Sequence, residues 1–273
     1  MQPTSPPIPA SGPKSFSRNF LSDVVIDYGP RDVLSRLFLK ADTQLREQGV
    51  NVSFVPFDEL VDLNRRNADS WRPILPIFEP SISGLEEENG FAVVGRNTSN
   101  DVVYAHACRL YTLTRCTLKD EIESLRLFYS DPEHSRQPGE AMTVTAPAAA
   151  STTGRVVFIG AVWYRPDVRK KGLMQMTAPL VRALAYTRWQ SDFAFSFMAQ
   201  DLVNASTAVK ARFPHVEWDV SMIKTPVYRD GTLRAALVWT NAEEQLRHFQ
   251  EYSFSARPQI DLIVEKRAAQ QNG

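Results

Sequence analysis

The sequence predicts a mixed α/β fold, an α+β arrangement of one central mixed sheet with helices on its faces. Three observations carry this. Apolar residues recur at helical spacing in several segments. Pairs of apolar runs are joined by short polar turns in the manner of hairpins. Helix and strand patterns interleave along the chain instead of separating into two halves. No internal repeat is legible, and 273 residues suffice for one generous domain.

Taken in order, residues 1 to 15 are rich in Pro and Ser, bury almost nothing, and are expected to form a disordered tail. The remainder, 16–273, reads as a single domain with an N-terminal helical extension. Leu34, Leu37, Phe38, Ala41 and Leu45 line one helix face from Arg31, with Gly49 as its stop. Val50, Val52 and Phe54 alternate with Asn51 and Ser53, as in a half-buried strand. Phe57 to Arg66 returns to helical spacing and ends in a looping stretch around Trp71-Arg72-Pro73. Gly90 to Gly95 and Asp101 to Tyr111 form a hairpin across a polar turn, and Asp120 to Tyr129 reads as a short helix. Ser130 to Gly154 is poor in large apolar residues and reads as a mobile insertion, 130–154.

In the second half, the near-continuous apolar run Val156 to Tyr164 is a buried strand. A basic loop follows, then a helix carrying Leu173, Met176, Leu180, Val181 and Leu184, in which Pro179 predicts a kink near Met174 to Met176. Phe193 to Met198 is another strand and Asn204 to Arg212 a short helix. Glu217 to Thr225 and Leu233 to Trp239 pair across Arg229-Asp230-Gly231, and Thr240 with Glu243 suggests a capping box for a last helix.

Composition narrows the function classes. Lys plus Arg and Asp plus Glu number 31 each, so no net field draws the chain to nucleic acid or to an acidic membrane. The two cysteines, Cys108 and Cys116, make no disulfide framework, and no Cys/His spacing suggests a metal site. The N-terminus lacks a signal-peptide layout and the longest apolar run is too short for a membrane span. The expectation is a cytoplasmic protein with neither nucleic-acid nor membrane partners and no metal.

The strongest local signal is Arg169, Lys170 and Lys171 immediately before Gly172 and a long helix. Cations at a helix N-terminus oppose the macrodipole by roughly 0.3 to 1 kcal/mol each. An anion held on the free backbone N–H groups would account for them, with Gly172 letting the backbone approach it. Solvated surface charge accounts for them equally well until the buried strand that feeds the loop is considered, since open sheets place anions at strand ends.

The run Val162-Trp163-Tyr164-Arg165-Pro166-Asp167-Val168-Arg169-Lys170-Lys171-Gly172-Leu173-Met174 resembles motif A of the GNAT acetyltransferase superfamily. Proline, the first arginine of the basic run and the glycine fall in register with that motif. The order of elements from Val50 to Trp239 is similar to that of the family, and Asp201 to Phe213 looks like its second cofactor-side helix. The resemblance implies a central, mostly antiparallel sheet, flanked by helices and splayed at an acyl-CoA site. It implies that Val162 and Tyr164 flank the pantetheine, that Arg169, Lys170, Lys171, Gly172, Leu173 and Met174 cradle the pyrophosphate, and that Asn204 lies on the cofactor side. The implied reaction is transfer of an acyl group, acetyl first among the candidates, from acetyl-CoA or another acyl-CoA to a primary amine or amino-acid-like acceptor by direct attack. A homodimer is compatible with it.

The chain departs from the family where protons are handled. Val156 to Tyr164 contains no acid, and Ala208 stands where relatives often have a tyrosine. His106 and Tyr164 are the candidate catalytic groups, His106 for a near-neutral imidazole, with Asp201 a further proton-handling candidate. A lone strand histidine is more often packed, a lone strand cysteine such as Cys108 is usually core filling, and Trp71 and Trp163 fit packing better than a substrate pocket. Two rival readings stay open: an enzyme using an acyl carrier protein to make N-acyl amino acids or acyl-homoserine lactones, and a module of this fold that binds CoA or a protein without catalysis.

Overall fold

A computed structural model describes residues 20–225, 227 and 231–255. The expected tail of residues 1 to 15 and the turn residues Arg229 and Asp230 lie outside the described residues. Helices α1 (Phe20–Asp23) and α2 (Arg31–Glu47) lead into β1 (Asn51–Val55), followed by α3 (Phe57–Arg66), a 3-10 turn at Pro76–Phe78 and α4 (Pro80–Ser83). The hairpin β2 (Gly90–Arg96) and β3 (Val102–Leu113) comes next, then α5 (Leu118–Glu123), α6 (Pro132–Ser135), β4 (Ala141–Val144) and α7 (Pro147–Ser151). β5 (Gly154–Tyr164) runs through a 3-10 turn at Pro166–Val168 into α8 (Leu173–Trp189). β6 (Phe193–Ala199), α9 (Gln200–Asn204), α10 (Thr207–Lys210), β7 (His215–Ile223), β8 (Thr232–Asn241) and α11 (Ala242–Phe254) follow in the described residues.

The strands form one sheet in the order β1-β2-β3-β5-β6-β8-β7-β4. Neighbours are antiparallel except β5 and β6, which are parallel and joined through α8, the crossover that a parallel pair requires. The sheet has a core on each face. One side packs Leu34, Leu37 and Phe38 of α2, Leu180 and Leu184 of α8 and Phe249 of α11 against Val93, Cys108 and Val157 of the strands. The other packs Leu60 of α3, Phe78, Leu118 and Ile122 of α5 and Ala149 of α7 against Phe158, Phe195 and Leu237. Both faces being covered is why the central strands read as continuous apolar runs.

Four expectations need correction. Residues 130–154 are not a bare loop: β4 lies within them and pairs with β7 from Ala141 opposite Ile223 to Val144 opposite Val220. Its short side chains and single large apolar anchor, the buried Met142, hid a strand that covers a sheet edge. The helix expected over Asn204 to Arg212 is instead two short ones, α9 ending at Asn204 and α10 covering Thr207–Lys210, with left-handed Ser206 between them, while α8 continues from Leu173 to Trp189 through Pro179. The last helix is capped one residue later than expected: Asn241 accepts from the Glu244 N–H while the Glu244 carboxylate accepts from the Asn241 N–H. The helix expected over Asp120 to Tyr129 ends at Glu123, and Leu125 takes a left-handed conformation.

Candidate functional site

The one parallel junction in the sheet is short. β5 and β6 pair only at Val156, Val157 and Phe158 opposite Phe193, Ala194 and Phe195. β5 continues to Tyr164 on β3, and β6 to Ala199 on β8, without pairing each other further. The two strands therefore open a gap toward their C-terminal ends, and the β5 edge beyond Phe158 faces it without a strand partner among the described residues.

A bulge accompanies this divergence. Ala105 pairs with Trp163 and Ala107 with Gly160, so His106 alone opposes Ala161 and Val162. Ala161 sits at φ 50°, a left-handed conformation that a non-glycine residue takes only under local constraint. Gly160 precedes it, and a Cβ there would lie 2.6 Å from the Phe158 ring and 2.8 Å from the Phe78 ring. Val162 is 41% exposed in this stretch.

β5 delivers the chain to a loop built on internal ion pairs. Arg165 donates to both oxygens of Asp167 at 2.7 and 2.9 Å and reaches Asp101 at 3.3 Å. Lys170 and Gly172 adopt φ of 63° and 81°, so two left-handed residues turn the chain into α8. Gly172 is the N-cap; no side chain caps the helix and no acidic residue stands in its first turn. The first N–H groups of α8 are thus available to an anion, and Lys170 and Lys171 are exposed beside them. Leu173 is buried in the core and Met174 is half-buried.

Arg169 does something else. Its Nε donates to the Tyr164 carbonyl at 2.8 Å and its Nη2 to the Ser70 carbonyl at 2.9 Å. It ties the strand end to the segment after α3. That segment stacks Trp71 on Trp163, centroids 5.1 Å apart at 9°, with Trp163 Nε1 donating to Ser70 Oγ at 3.2 Å. Both tryptophans are buried packing, as their sequence positions suggested. Arg72 then pairs with Asp201 at 3.0 Å, both exposed, linking the same segment to the start of α9.

The proposed catalytic groups lie deeper. Tyr164 stacks on Tyr104 at 5.3 Å, and its hydroxyl shares a 2.6 Å hydrogen bond with Thr177 of α8. Burial raises its pKa beyond the ordinary phenol range. His106 is buried under α8; its Nδ1 faces the Tyr104 hydroxyl at 3.1 Å and its Nε2 has no partner. Burial first, and then the charge of Arg182, push its pKa down to about 3. Such an imidazole is a poor proton acceptor. Burial also pushes the Cys108 thiol up. Ala208 is buried on α10, and Asn204 is exposed with its Oδ1 accepting from Gln200 at 2.9 Å. Among the described residues no cluster of His, Cys, Asp or Glu forms a metal site, and no helix is long and apolar enough to cross a membrane.

Two features escaped sequence reading: the Arg169–Ser70 tether, which joins positions remote in the chain, and the bulge. The latter had a signal, since an isolated glycine inside an apolar strand, here Gly160, marks a bulge or a close backbone approach.

No family model matches the chain, and no curated protein sequence matches it. Among solved structures, a spermidine N-acetyltransferase from Vibrio cholerae is similar at a TM-score of 0.42 and 7% identity, covering 72% of this chain and 98% of that one. An aminoglycoside acetyltransferase in complex with coenzyme A and kanamycin is similar at 0.40 and 12% identity, covering 72% and 98%. A structure described as a putative ribosomal-protein-serine acetyltransferase from Vibrio cholerae is similar at 0.39 and 9% identity, covering 71% and 94%.

Proposed function

We propose that this chain is a GNAT-type N-acyltransferase that binds acyl-CoA, acetyl-CoA foremost, in the gap between β5 and β6. The observation that carries the reading is the joint placement of an unpartnered strand edge and an uncapped helix N-terminus on the two sides of one loop. An extended pantetheine arm has the amide spacing to complete the free β5 edge near Val162 and Tyr164 as an added strand would. The pyrophosphate then rests on the amides of Gly172, Leu173 and Met174 with Lys170 and Lys171 beside it, and Asn204 flanks the cofactor from α9. Arg169 shapes the site from behind, through the Tyr164 carbonyl.

In this reading a primary amine attacks the thioester carbon, the new C–N bond forms as the C–S bond breaks, and the thiolate departs with a proton from solvent. A backbone N–H on the β5 edge polarises the carbonyl oxygen. Positioning supplies most of the rate. The ammonium proton goes to water, because β5 carries no acid and His106 is buried with a pKa near 3. The same two facts favour one second reading, a chain that binds CoA without turnover.

The test joins binding to turnover. Acetyl-CoA at about a hundred times its Kd is expected to stabilise the fold by about 2.7 kcal/mol, and an amine and amino-acid panel followed by thiol release is expected to show an acceptor. No stabilisation by CoA or any acyl-CoA sinks the proposal. Stabilisation without thiol release on any amine establishes the second reading in its place.

A further inference from the structure

A second group of polar side chains lies on the other side of α8, two turns beyond its N-terminus. Arg182 is only 2% exposed. Its Nη1 donates to the Arg212 carbonyl at 2.6 Å, and its guanidinium lies over the Phe213 ring, 5.3 Å from the centroid. Nε and Nη2 are buried and meet no acceptor. Among the described residues no carboxylate stands within ion-pair distance of it. His106 Nε2 and His248 Nδ1 are likewise buried without partners. A cavity of about 10 Å³, room for one particle about the size of a water molecule, opens here and is lined by Gln175, Pro179, Arg182, Arg212, His248 and Glu251 among others.

A guanidinium in the interior without a counter-charge is a costly arrangement, and proteins resolve it by pairing the charge. The surroundings make the cost larger. Burial and the neighbouring charge of Arg212 pull Arg182 down to about 9. Burial, Arg182, Arg212 and Arg247 hold His248 down at about 4. Arg212 and Glu251 line the cavity beside it. The cavity presents at least two unused N–H donors of Arg182 from a fixed plane.

We propose that this cavity is a binding site for one small monovalent anion of halide size, held by Nε and Nη2 of Arg182 with Nδ1 of His248 facing it. The site is distinct from the loop at Lys170 to Met174, and it stands whether or not that loop holds a coenzyme. Its consequence is structural: the anion neutralises the charge at the junction of α8 with α11 and with the residues after α10.

Thermal unfolding of the full chain at constant ionic strength tests this, with sodium gluconate replaced stepwise by sodium chloride or bromide. The expected result is a saturable rise of about 3 °C in chloride, abolished in Arg182→Met, which unfolds at the same temperature in both salts. An equal Tm for the native chain in chloride and gluconate overturns the proposal, as does an undiminished chloride effect in Arg182→Met. Should that variant fail to fold, crystals grown in bromide decide: an anomalous peak within hydrogen-bond reach of Arg182 Nε or Nη2 is expected, and bromide bound only at the surface overturns the site.

Discussion

Gly172 carries the sharpest consequence at the scale of single residues. At φ 81° a side chain costs about 1 to 2 kcal/mol in backbone strain, while a Cβ at the helix N-cap also crowds the place where phosphate oxygens would rest. Gly172→Val is expected to abolish detectable CoA binding by calorimetry while the thermal unfolding midpoint falls by only a few degrees. Unchanged affinity would remove the loop from the cofactor site. The basic residues separate differently. Arg169 is spent on the carbonyls of Tyr164 and Ser70, whereas Lys170 and Lys171 are exposed and unattached to the main chain. Replacing both lysines by alanine is expected to raise the Kd for CoA about tenfold and to flatten its salt dependence. Arg169→Ala is expected to leave the salt dependence in place and to raise the acceptor KM, by loosening the segment from Ser70 to Arg72. His106 supplies a pH signature. It is neutral in the folded protein down to a pKa of about 3, while the unfolded chain binds its proton near 6.5. Below that value the unfolded state holds more protons, so stability present above pH 6.5 is lost as pH falls toward 3, at a slope approaching 1.4 kcal/mol per unit. Urea unfolding at pH 7, 5.5 and 4.5 is expected to show this slope for the native chain and a shallower one for His106→Leu.

Between elements, the site is a matter of where two strands stop pairing, and this explains what sequence can and cannot reveal. The apolar run Val156 to Tyr164, the helix with Leu173, Leu180 and Leu184, and the short strand Phe193 to Met198 are each legible from periodicity, because burial on both faces leaves a continuous apolar signal. The pairing that ends at Phe158 opposite Phe195 leaves no such trace, since residues on either side of the divergence are equally apolar. β4 was missed for the opposite reason: its four residues Ala141–Val144 have too short a pattern to stand above a Pro- and Ala-rich background. The basic loop suggests an anion site from sequence, but the engagement of Arg169 with the Ser70 carbonyl depends on a contact 99 residues away. The bulge at Ala161 and Val162, with Gly160 just before it, gives this scale its own test. Gly160→Ala places a methyl group against two rings that are buried and packed, so overpacking of about 1 to 3 kcal/mol is expected. It is also expected to straighten the bulge and weaken CoA binding, which calorimetry beside urea unfolding would separate from the loss of stability.

The described residues form a single sheet with a core on each face, and its far edge is closed by the segment that reads least like structure. β4 covers β7, and the segment 118–153 brings Leu118, Ile122, Leu127, Phe128, Met142, Val144 and Ala149 into the second core. Without β4, the β7 backbone from Val220 to Ile223 would present unpaired N–H and C=O groups beside the buried side chains of Val220 and Met222, the combination that invites strand pairing between chains. The segment around it is anchored twice over: Lys119 of α5 donates to the Val144 carbonyl at 2.7 Å, and Tyr129 donates to the buried Glu140 carboxylate at 3.0 Å. Thr143→Pro removes one donor and fixes one φ in a strand only four residues long, where no further strand among the described residues pairs with its outer side. The expected outcome is release of β4, a fall in thermal midpoint of several degrees, and concentration-dependent association seen by light scattering on a sizing column. CoA affinity is expected to stay within twofold of the native value, because β4 lies three strands from the gap between β5 and β6. A large loss of affinity in that variant would mean that the splayed junction is held open from the far edge of the sheet rather than by the local bulge at Ala161.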